Sequence, residues 1–284
     1  MSIYHPAVIS YLGIPGYVFG WLLFIVALCL FGYIIRRRLQ ILLMGQKDPR
    51  FSDLGKRLWG LITYGIIQRK QPRYLWAGVI HLMIFWGFIV LGLRSTDLVL
   101  QSLGLPVFVS FMETAIGGFY MSFKDVFELI VFFACIWAIL RRAIIRQKRY
   151  EGSHQFEAYL VLGLISFLMI TDVFYEGSSL ILSPSDAYRL PVSGMAAGLL
   201  SGASMPGLKS VHTASYWLHL LTFFFFLNFL PMGKHFHIIT ALPNVFFRKL
   251  KKGSIKPARW GVTDITELEK LGAGEIKDFT WKHL

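Results

Sequence analysis

The sequence predicts an all-α protein: a five-helix transmembrane bundle with its N-terminus outside, its C-terminus in the cytoplasm and a short cytoplasmic C-terminal tail. Composition is the first reason, because 55% of the 284 residues are hydrophobic and only 16% are charged, whereas soluble domains are about 25% charged. The mean hydropathy of +0.55 agrees. The other two reasons are five long apolar stretches and the uneven distribution of lysine and arginine.

Each apolar stretch has about 20 residues, the length that a helix needs to cross a hydrocarbon core of roughly 30 Å. The stretches are residues 16–35, 74–93, 120–140, 158–182 and 211–232. The first is not expected to be a cleaved signal peptide, because no basic region precedes it and Arg36, Arg37 and Arg38 follow it. All five are therefore expected to remain in the protein as helices.

Lysine and arginine concentrate in three segments outside these stretches. Residues 36–73 hold ten, residues 141–149 hold five and residues 234–284 hold ten, against four elsewhere. Cytoplasmic loops are enriched in these residues, which places the N-terminus outside and the C-terminus in the cytoplasm. The same bias accounts for the net charge of +13, so no nucleic-acid partner is needed to explain it. The basic segments also favour contact with the anionic lipids of the bilayer.

Composition also predicts a boundary near residue 240. Residues 1–240 are expected to form the transmembrane bundle, with one or two haems, and residues 241–284 a cytoplasmic surface helix and a docking or linking tail. A basic stretch at residues 248–252 opens that tail. The two cysteines, Cys29 and Cys135, form no CxxC pair, so the sequence holds neither an iron–sulfur motif nor a disulfide framework.

Two of the eight histidines, His81 and His219, lie deep in the predicted spans. A lone histidine in a helix is most often a hydrogen-bonded core residue, but an ionisable group inside a membrane is costly and is often functional. His219 and His237 are 18 residues apart, so on a continuous helix they would point the same way about 27 Å apart. Pro231 and Gly233 lie between them, and the alignment requires that the helix does not end there.

Imidazoles at two depths on one helix face are what a bundle needs to hold two haems, each with a second imidazole from a facing helix. His81 is the candidate partner on the facing helix, and spacing alone leaves open which haem it would bind. A haem with two histidine ligands has both axial positions filled, so it would carry electrons and would not bind oxygen.

These histidines lie in segments that resemble a known family. Residues 79–87, with His81, and residues 218–243, with His219, His237 and the Leu242-Pro243 pair, are similar to the second and fifth helices of the cytochrome b (gamma) subunit of respiratory nitrate reductase. They are closer still to the membrane domain of heterodisulfide reductase-related iron–sulfur oxidoreductases. The resemblance covers all five helices, and the 18-residue spacing before Leu-Pro is its most specific part.

The resemblance implies that His81, His219 and His237 are axial ligands of the iron of haem b, with His81 and His237 sharing the cytoplasmic-side haem. In that family the second helix carries two ligands ten residues apart, and the fourth ligand position is Leu91 here. Leucine cannot bind iron, so His219 lacks its usual partner and one or two haems are expected. The resemblance also implies a cytoplasmic iron–sulfur partner, as a separate protein or a further domain.

Acidic residues interrupt the third and fourth predicted spans: Glu128, Asp172 and Glu176. One interpretation is that they pair at the outer surface with Arg94, Lys124 or Arg189. The other is a quinone site, where a carboxylate exchanges protons with a quinol hydroxyl. Asp172 is the first candidate for that role and Glu128 the second.

The sequence therefore predicts a b-type cytochrome in the cell membrane of a prokaryote, which transfers electrons between a membrane quinone and a cytoplasmic iron–sulfur oxidoreductase. Two alternatives stay open: a haem-free membrane anchor for a soluble redox enzyme, and a proton-coupled transporter that uses Asp172 and Glu128. A cytochrome requires the three histidines together, whereas an anchor requires only the basic tail. A transporter favours broken or repeated helices, and the sequence shows no internal repeat.

Overall fold

The computed structural model describes residues 4–145, 155–184, 189–250, 276 and 281. In these ranges the chain is almost entirely helical, so the all-α prediction is confirmed. A two-stranded antiparallel hairpin, β1 (Ser10–Tyr11) and β2 (Ile14–Pro15), precedes the first helix. The helices are α1 (Gly16–Leu43), α2 (Leu54–Gly60), α3 (Leu75–Ser102), α4 (Val109–Met112), α5 (Ala115–Ile145), α6 (Gln155–Leu182), α7 (Pro191–Leu200), α8 (Met205–Phe229) and α9 (His237–Phe246).

Four of these helices are long and apolar enough to cross a membrane: α1, α3, α6 and α8 with the turn that follows it to Met232. They contain the first, second, fourth and fifth predicted stretches. The third stretch lies in α5, which has 31 residues but carries Lys124, Asp125 and Glu128 in its first half. A long helix is therefore present at each predicted stretch, and four of the five have the composition of a membrane span.

The helix α3 continues nine residues beyond the predicted end of its span at residue 93. This extension carries Arg94, Asp97 and Gln101, which are all buried. A polar side chain limits a span only where it would face lipid, and here each of these side chains has at least one hydrogen bond to another side chain of the bundle. The helix can therefore continue through a polar segment.

The chain folds as two compact units. The first consists of Met1–Cys29 and Gln71–Phe229, and the second of Leu30–Lys70 and Leu230–Leu284. Within the first unit, α1, α3, α6 and α8 meet in a core that includes Ala27, Leu98, Tyr175, Tyr216 and Leu220.

Small residues allow the helices of the first unit to approach closely, as in other membrane bundles. A Cβ atom on Gly20 of α1 would overlap the backbone of Ser102 at the end of α3, and one on Gly87 of α3 would overlap the side chain of Val131 in α5. These glycines bring α3 near both α1 and α5.

The second unit is held together by a buried arginine. Arg57 of α2 is 4% exposed, and its guanidinium donates hydrogen bonds to the carbonyl oxygens of Ser52 at 2.7 Å, Phe246 at 2.9 Å and Arg248 at 3.0 Å. The last two carbonyls belong to the C-terminal end of α9 and the residues after it. The positive guanidinium therefore satisfies helix-end carbonyls that have no intrahelical partner.

Trp281 also packs onto the second unit. Its backbone N–H donates to the carbonyl of Gln46 at 3.1 Å, its Nε1–H donates to the carbonyl of Asp48 at 3.0 Å, and its ring meets that of Phe247 edge-on. The rest of the predicted tail lies outside the described residues: 251–275, 277–280 and 282–284.

The condition for the same-face alignment of His219 and His237, a continuous helix between them, is not met. The helix α8 ends at Phe229, and two short 3₁₀ turns, Leu230–Met232 and Lys234–Phe236, separate it from α9. Pro231 has no N–H for a helical hydrogen bond, and Gly233 is extended, with φ −132° and ψ −151°. The same-face alignment over five turns, and the distance of about 27 Å that follows from it, therefore do not apply.

Candidate functional site

Six ionisable side chains are buried together in the first unit, two from each of three helices. In each helix the two residues are three or four positions apart, so they share one face. None of the six is more than 6% exposed. They are Arg94 and Asp97 of α3, Lys124 and Glu128 of α5, and Asp172 and Glu176 of α6.

Arg94 contacts three carboxylates. Its Nη1 donates to Oδ2 of Asp97 at 2.8 Å, its Nη2 donates to Oε1 of Glu176, and its Nε lies 3.6 Å from Oδ1 of Asp172. Gln101, one turn after Asp97, donates from its amide to the same Oδ2 at 2.7 Å. This guanidinium therefore joins α3 to α6 through charged groups that are almost completely buried.

Lys124 is the second cation and has no exposed surface. Its Nζ lies 3.1 Å from Oε1 of Glu128 and 3.0 Å from Oδ2 of Asp172. Asp172 consequently contacts both Arg94 and Lys124, and it is the residue through which the two parts of the cluster meet. A buried charge is stable only when it is paired and hydrogen-bonded, and each of these has at least one such partner.

The pairing of the acids with Arg94 and Lys124, one of the two interpretations of the sequence, is thus observed. The ion pairs lie inside the protein and not at a surface. Arg189, the third basic residue considered, is exposed. The role of Asp172 and Glu128 in quinone chemistry stays a prediction.

A neighbouring carboxylate, Asp125, holds the start of α7. It is fully buried, and it accepts hydrogen bonds from the backbone N–H of Val192 at 2.6 Å and of Ser193 at 3.0 Å, and from the Ser193 hydroxyl at 2.5 Å. The first N–H groups of a helix have no intrahelical acceptor, and a carboxylate there also interacts favourably with the helix dipole. Asp125 therefore has a structural role, which the sequence did not indicate.

We expect Asp125→Asn to lower the free energy of unfolding by about 1–3 kcal/mol, because the amide group places a donor where a backbone N–H needs an acceptor. Chemical unfolding of the purified protein in detergent measures this. The exposed residue Glu113 provides the matched control, because Glu113→Gln makes the same type of substitution at the surface. Equal stability of the two variants would contradict the capping role.

His219 is buried on α8, and α6 orients its ring. Its Nδ1 lies 3.1 Å from the hydroxyl oxygen of Thr171, and that hydroxyl lies 3.0 Å from the carbonyl oxygens of Phe167 and Leu168. The hydroxyl donates its single hydrogen to these carbonyls, so it accepts from Nδ1–H. Nε2 is then the bare nitrogen, and it has no hydrogen-bonding partner among the described residues.

Two further histidines lie near the start of α8 and the chain's N-terminus. The ring of His212 stacks on Tyr175, with centroids 4.5 Å apart, and its Nδ1 lies 2.9 Å from the hydroxyl of Ser178. His5, in the segment before β1, meets the Tyr216 ring edge-on, and burial lowers the pKa of His5 to about 3. Both are therefore core histidines. Nothing in the sequence around His5 indicated its burial.

His81 and Leu91 lie on α3, in the first unit. His81, two turns from the start of the helix, is half-buried. Leu91 is 7% exposed and packs with Val131, Cys135 and Leu168. The position at which the resemblance expects a fourth ligand is thus part of an apolar core between α3, α5 and α6.

His237 is the first residue of α9, in the second unit, and is exposed. Its Nδ1 lies 3.0 Å from the carbonyl oxygen of Lys234. A carbonyl can only accept, so Nδ1 carries a hydrogen, and in the neutral imidazole Nε2 is the nitrogen with the lone pair.

Two of the histidines, His219 and His237, have a ring nitrogen that could bind the iron of a haem. Imidazoles that bind metals usually donate Nδ1–H to a carbonyl or another acceptor and bind through Nε2, and both His219 and His237 have this arrangement. Haem iron needs only two axial side chains, so the requirement differs from that of a free metal ion. Among the described residues, no group of three or more His, Cys, Asp or Glu side chains could hold such an ion.

The fold and the buried groups are those of a helical, multi-pass membrane protein with an ionisable interior. Comparison with curated proteins gives two relatives. The probable iron–sulfur-binding oxidoreductase FadF of Bacillus subtilis is 31% identical over 265 residues, which cover 91% of this chain and 36% of that protein. The EtfAB:quinone oxidoreductase of Syntrophomonas wolfei is 26% identical over 286 residues, covering 94% of this chain and 38% of that protein.

The chain therefore spans little more than a third of the length of these relatives. No family profile matches it, and no solved structure matches it. The predicted similarity to oxidoreductases is confirmed. Neither relative is named as a nitrate reductase subunit, and that part of the resemblance stays a prediction.

Proposed function

We propose that this chain is a b-type cytochrome membrane domain that transfers electrons between a membrane quinone and a cytoplasmic iron–sulfur oxidoreductase partner. One relative is named as an iron–sulfur-binding oxidoreductase and the other as a quinone oxidoreductase, and these names support the two ends of the transfer. The proposal includes a prokaryotic cell membrane, an outer N-terminus, a bundle over residues 1–240 and a cytoplasmic surface helix and tail over residues 241–284.

The bare Nε2 of buried His219 is the observation that carries the proposal. An imidazole nitrogen that lacks a hydrogen bond inside a protein is costly, and an axial bond to haem iron would satisfy it. His237 has the same tautomer, and the family resemblance adds His81. We propose these three histidines as ligands of one or two haems b.

When bound, haem b takes up and releases one electron at a time. The chain's own groups perform the remaining tasks. Thr171 holds the His219 ring in one orientation and one tautomer, as outer-shell acceptors do for metal ligands. Glu128 and Asp172 are the groups proposed to exchange protons with a quinol hydroxyl, and Arg94 and Lys124 hold these carboxyls in place.

A reduced-minus-oxidised optical spectrum, with the haem content per polypeptide determined on the same sample, tests the proposal. We expect a b-type signal, and a lower haem content in His81→Leu, His219→Leu and His237→Leu because each removes an axial ligand. His212→Leu is the matched control, since it removes another buried histidine from α8 that is not a proposed ligand.

Protein made with ample haem supply that contains no haem would overturn the cytochrome proposal and favour a haem-free anchor. One haem per chain that His219→Leu leaves unchanged would exclude His219 and restrict the ligands to His81 and His237. Loss of haem in the His212 variant as well would indicate general misfolding, and the ligand assignment would then have no support.

A further inference from the structure

The buried cluster contains more negative than positive charge if every member is ionised. Arg94 and Lys124 contact four carboxyl groups: Asp97, Glu128, Asp172 and Glu176. Burying an uncompensated carboxylate is so costly that the group usually becomes neutral instead. Protonation of one or more of these carboxyl groups lowers the excess negative charge.

The hydrogen bonds of the Glu128 and Asp172 carboxyl groups indicate where a proton could lie. Oε1 of Glu128 and Oδ2 of Asp172 both accept from Lys124. Of their other oxygens, Oε2 of Glu128 is buried and has no hydrogen bond among the described residues. Oδ1 of Asp172 is also buried and lies 3.6 Å from Nε of Arg94, but it has no hydrogen bond there either. Because both carboxyl groups bind the same ammonium group, at 3.1 and 3.0 Å, the two side chains lie close together. Two ionised carboxylates could not form a hydrogen bond with each other, because neither has a hydrogen to donate.

The neighbouring groups determine which carboxyl carries the proton. Asp172 contacts Lys124 of α5 and Arg94 of α3. Glu128 contacts Lys124 alone among the two cations. Positive neighbours favour the ionised form of a carboxyl group, so Asp172 remains the carboxylate.

We propose that Glu128 and Asp172 form a one-proton site in which the neutral Glu128 carboxyl donates Oε2–H to Oδ1 of the Asp172 carboxylate. This single hydrogen bond gives both Oε2 of Glu128 and Oδ1 of Asp172 a hydrogen-bonding partner. The proton also reduces the charge imbalance of the cluster. Use of this proton in quinone chemistry rests on the proposed function, whereas its presence depends only on the contacts of this chain and requires neither haem nor quinone.

Infrared spectroscopy of the purified full chain tests the site. A protonated carboxyl group gives a C=O stretching band that is separate from the carboxylate bands and shifts in D₂O, and a detergent without ester groups avoids overlapping lipid bands. At neutral pH we expect this band in the unsubstituted protein and its loss in Glu128→Gln. Glu113→Gln, at an exposed carboxyl, should retain it.

No such band at neutral pH, or a band that persists unchanged in Glu128→Gln, would overturn the proposal. A band that is lost in Asp172→Asn but not in Glu128→Gln would show that Asp172 carries the proton, and this result would also overturn the proposal. Because haem-free protein serves equally well, this result is independent of the haem measurements that test the proposed function.

Thermal unfolding provides a second test in the same variants. Glu128→Gln keeps a donor that can reach Asp172, so we expect its Tm to equal that of the unsubstituted protein. Asp172→Asn removes the acceptor shared by Lys124 and Arg94, and we expect a lower Tm or no folded protein. Equal losses of Tm in the two variants would contradict a neutral Glu128.

Discussion

Lys124→Met is expected to lower the free energy of unfolding by about 3–5 kcal/mol, the cost of removing one partner from a buried ion pair. The side chain of Lys124 has no exposed surface and lies between Glu128 and Asp172. Methionine fills much of the same volume, so the loss comes mainly from the Asp172 charge that is left with one cation fewer. Equilibrium unfolding of the purified protein in detergent measures the change.

Lys56→Met is the control, because Lys56 forms an ion pair with Asp53 in which the lysine side chain is 75% exposed. Such pairs contribute about 0–1 kcal/mol. If Lys124 mainly neutralises Asp172, adding Asp172→Asn to Lys124→Met should recover part of the lost stability, and adding Glu128→Gln should not. A Lys124 variant as stable as the Lys56 variant would show that the cluster contributes little to folding.

The second large effect is expected in the other unit. Arg57→Met removes the donors of three hydrogen bonds to carbonyl oxygens, of Ser52, Phe246 and Arg248. Each buried acceptor left without a partner costs about 1–3 kcal/mol, so we expect a loss of roughly 3 kcal/mol or more. The end of α9 should loosen first, because two of the three carbonyls lie there.

Hydrogen–deuterium exchange over residues 237–250 measures this directly, and faster exchange is expected in Arg57→Met. Arg36→Met is the control, since Arg36 is exposed on α1. Unchanged protection of these amides in the Arg57 variant would mean that α9 is held by its apolar contacts alone.

The positions of the long helices could be predicted from the sequence because apolar composition over about 20 residues is a local property. The ends were less predictable. The sequence places a limit at residue 93, yet α3 continues because Arg94 pairs with Asp97 of the same helix and with Glu176 of α6. Whether a charged residue faces lipid or a partner depends on which helices become neighbours, which one sequence does not show.

The candidate site, like the helices, could be predicted only in part from the sequence. Depth in an apolar stretch correctly indicated that His219 is buried, and the spacing of Arg94 with Asp97 and of Lys124 with Glu128 could have indicated ion pairs within helices. The contact of Asp172 with two cations from other helices could not be read from spacing. The same-face argument for His237 required a continuous helix, and it does not apply because α8 ends at Phe229, just before Pro231 and Gly233.

The two arginines of the second unit have a consequence for the order in which the protein forms during synthesis. Arg50 and Arg57 bond to carbonyls of residues 246–248, which follow them by 189 to 197 positions. At about 5–20 residues per second, roughly 10–40 s pass before the ribosome adds those residues. The hydrogen bonds of both guanidinium groups therefore cannot form until most of the chain has been synthesised. The second unit is consequently the last part of the chain to complete its folding.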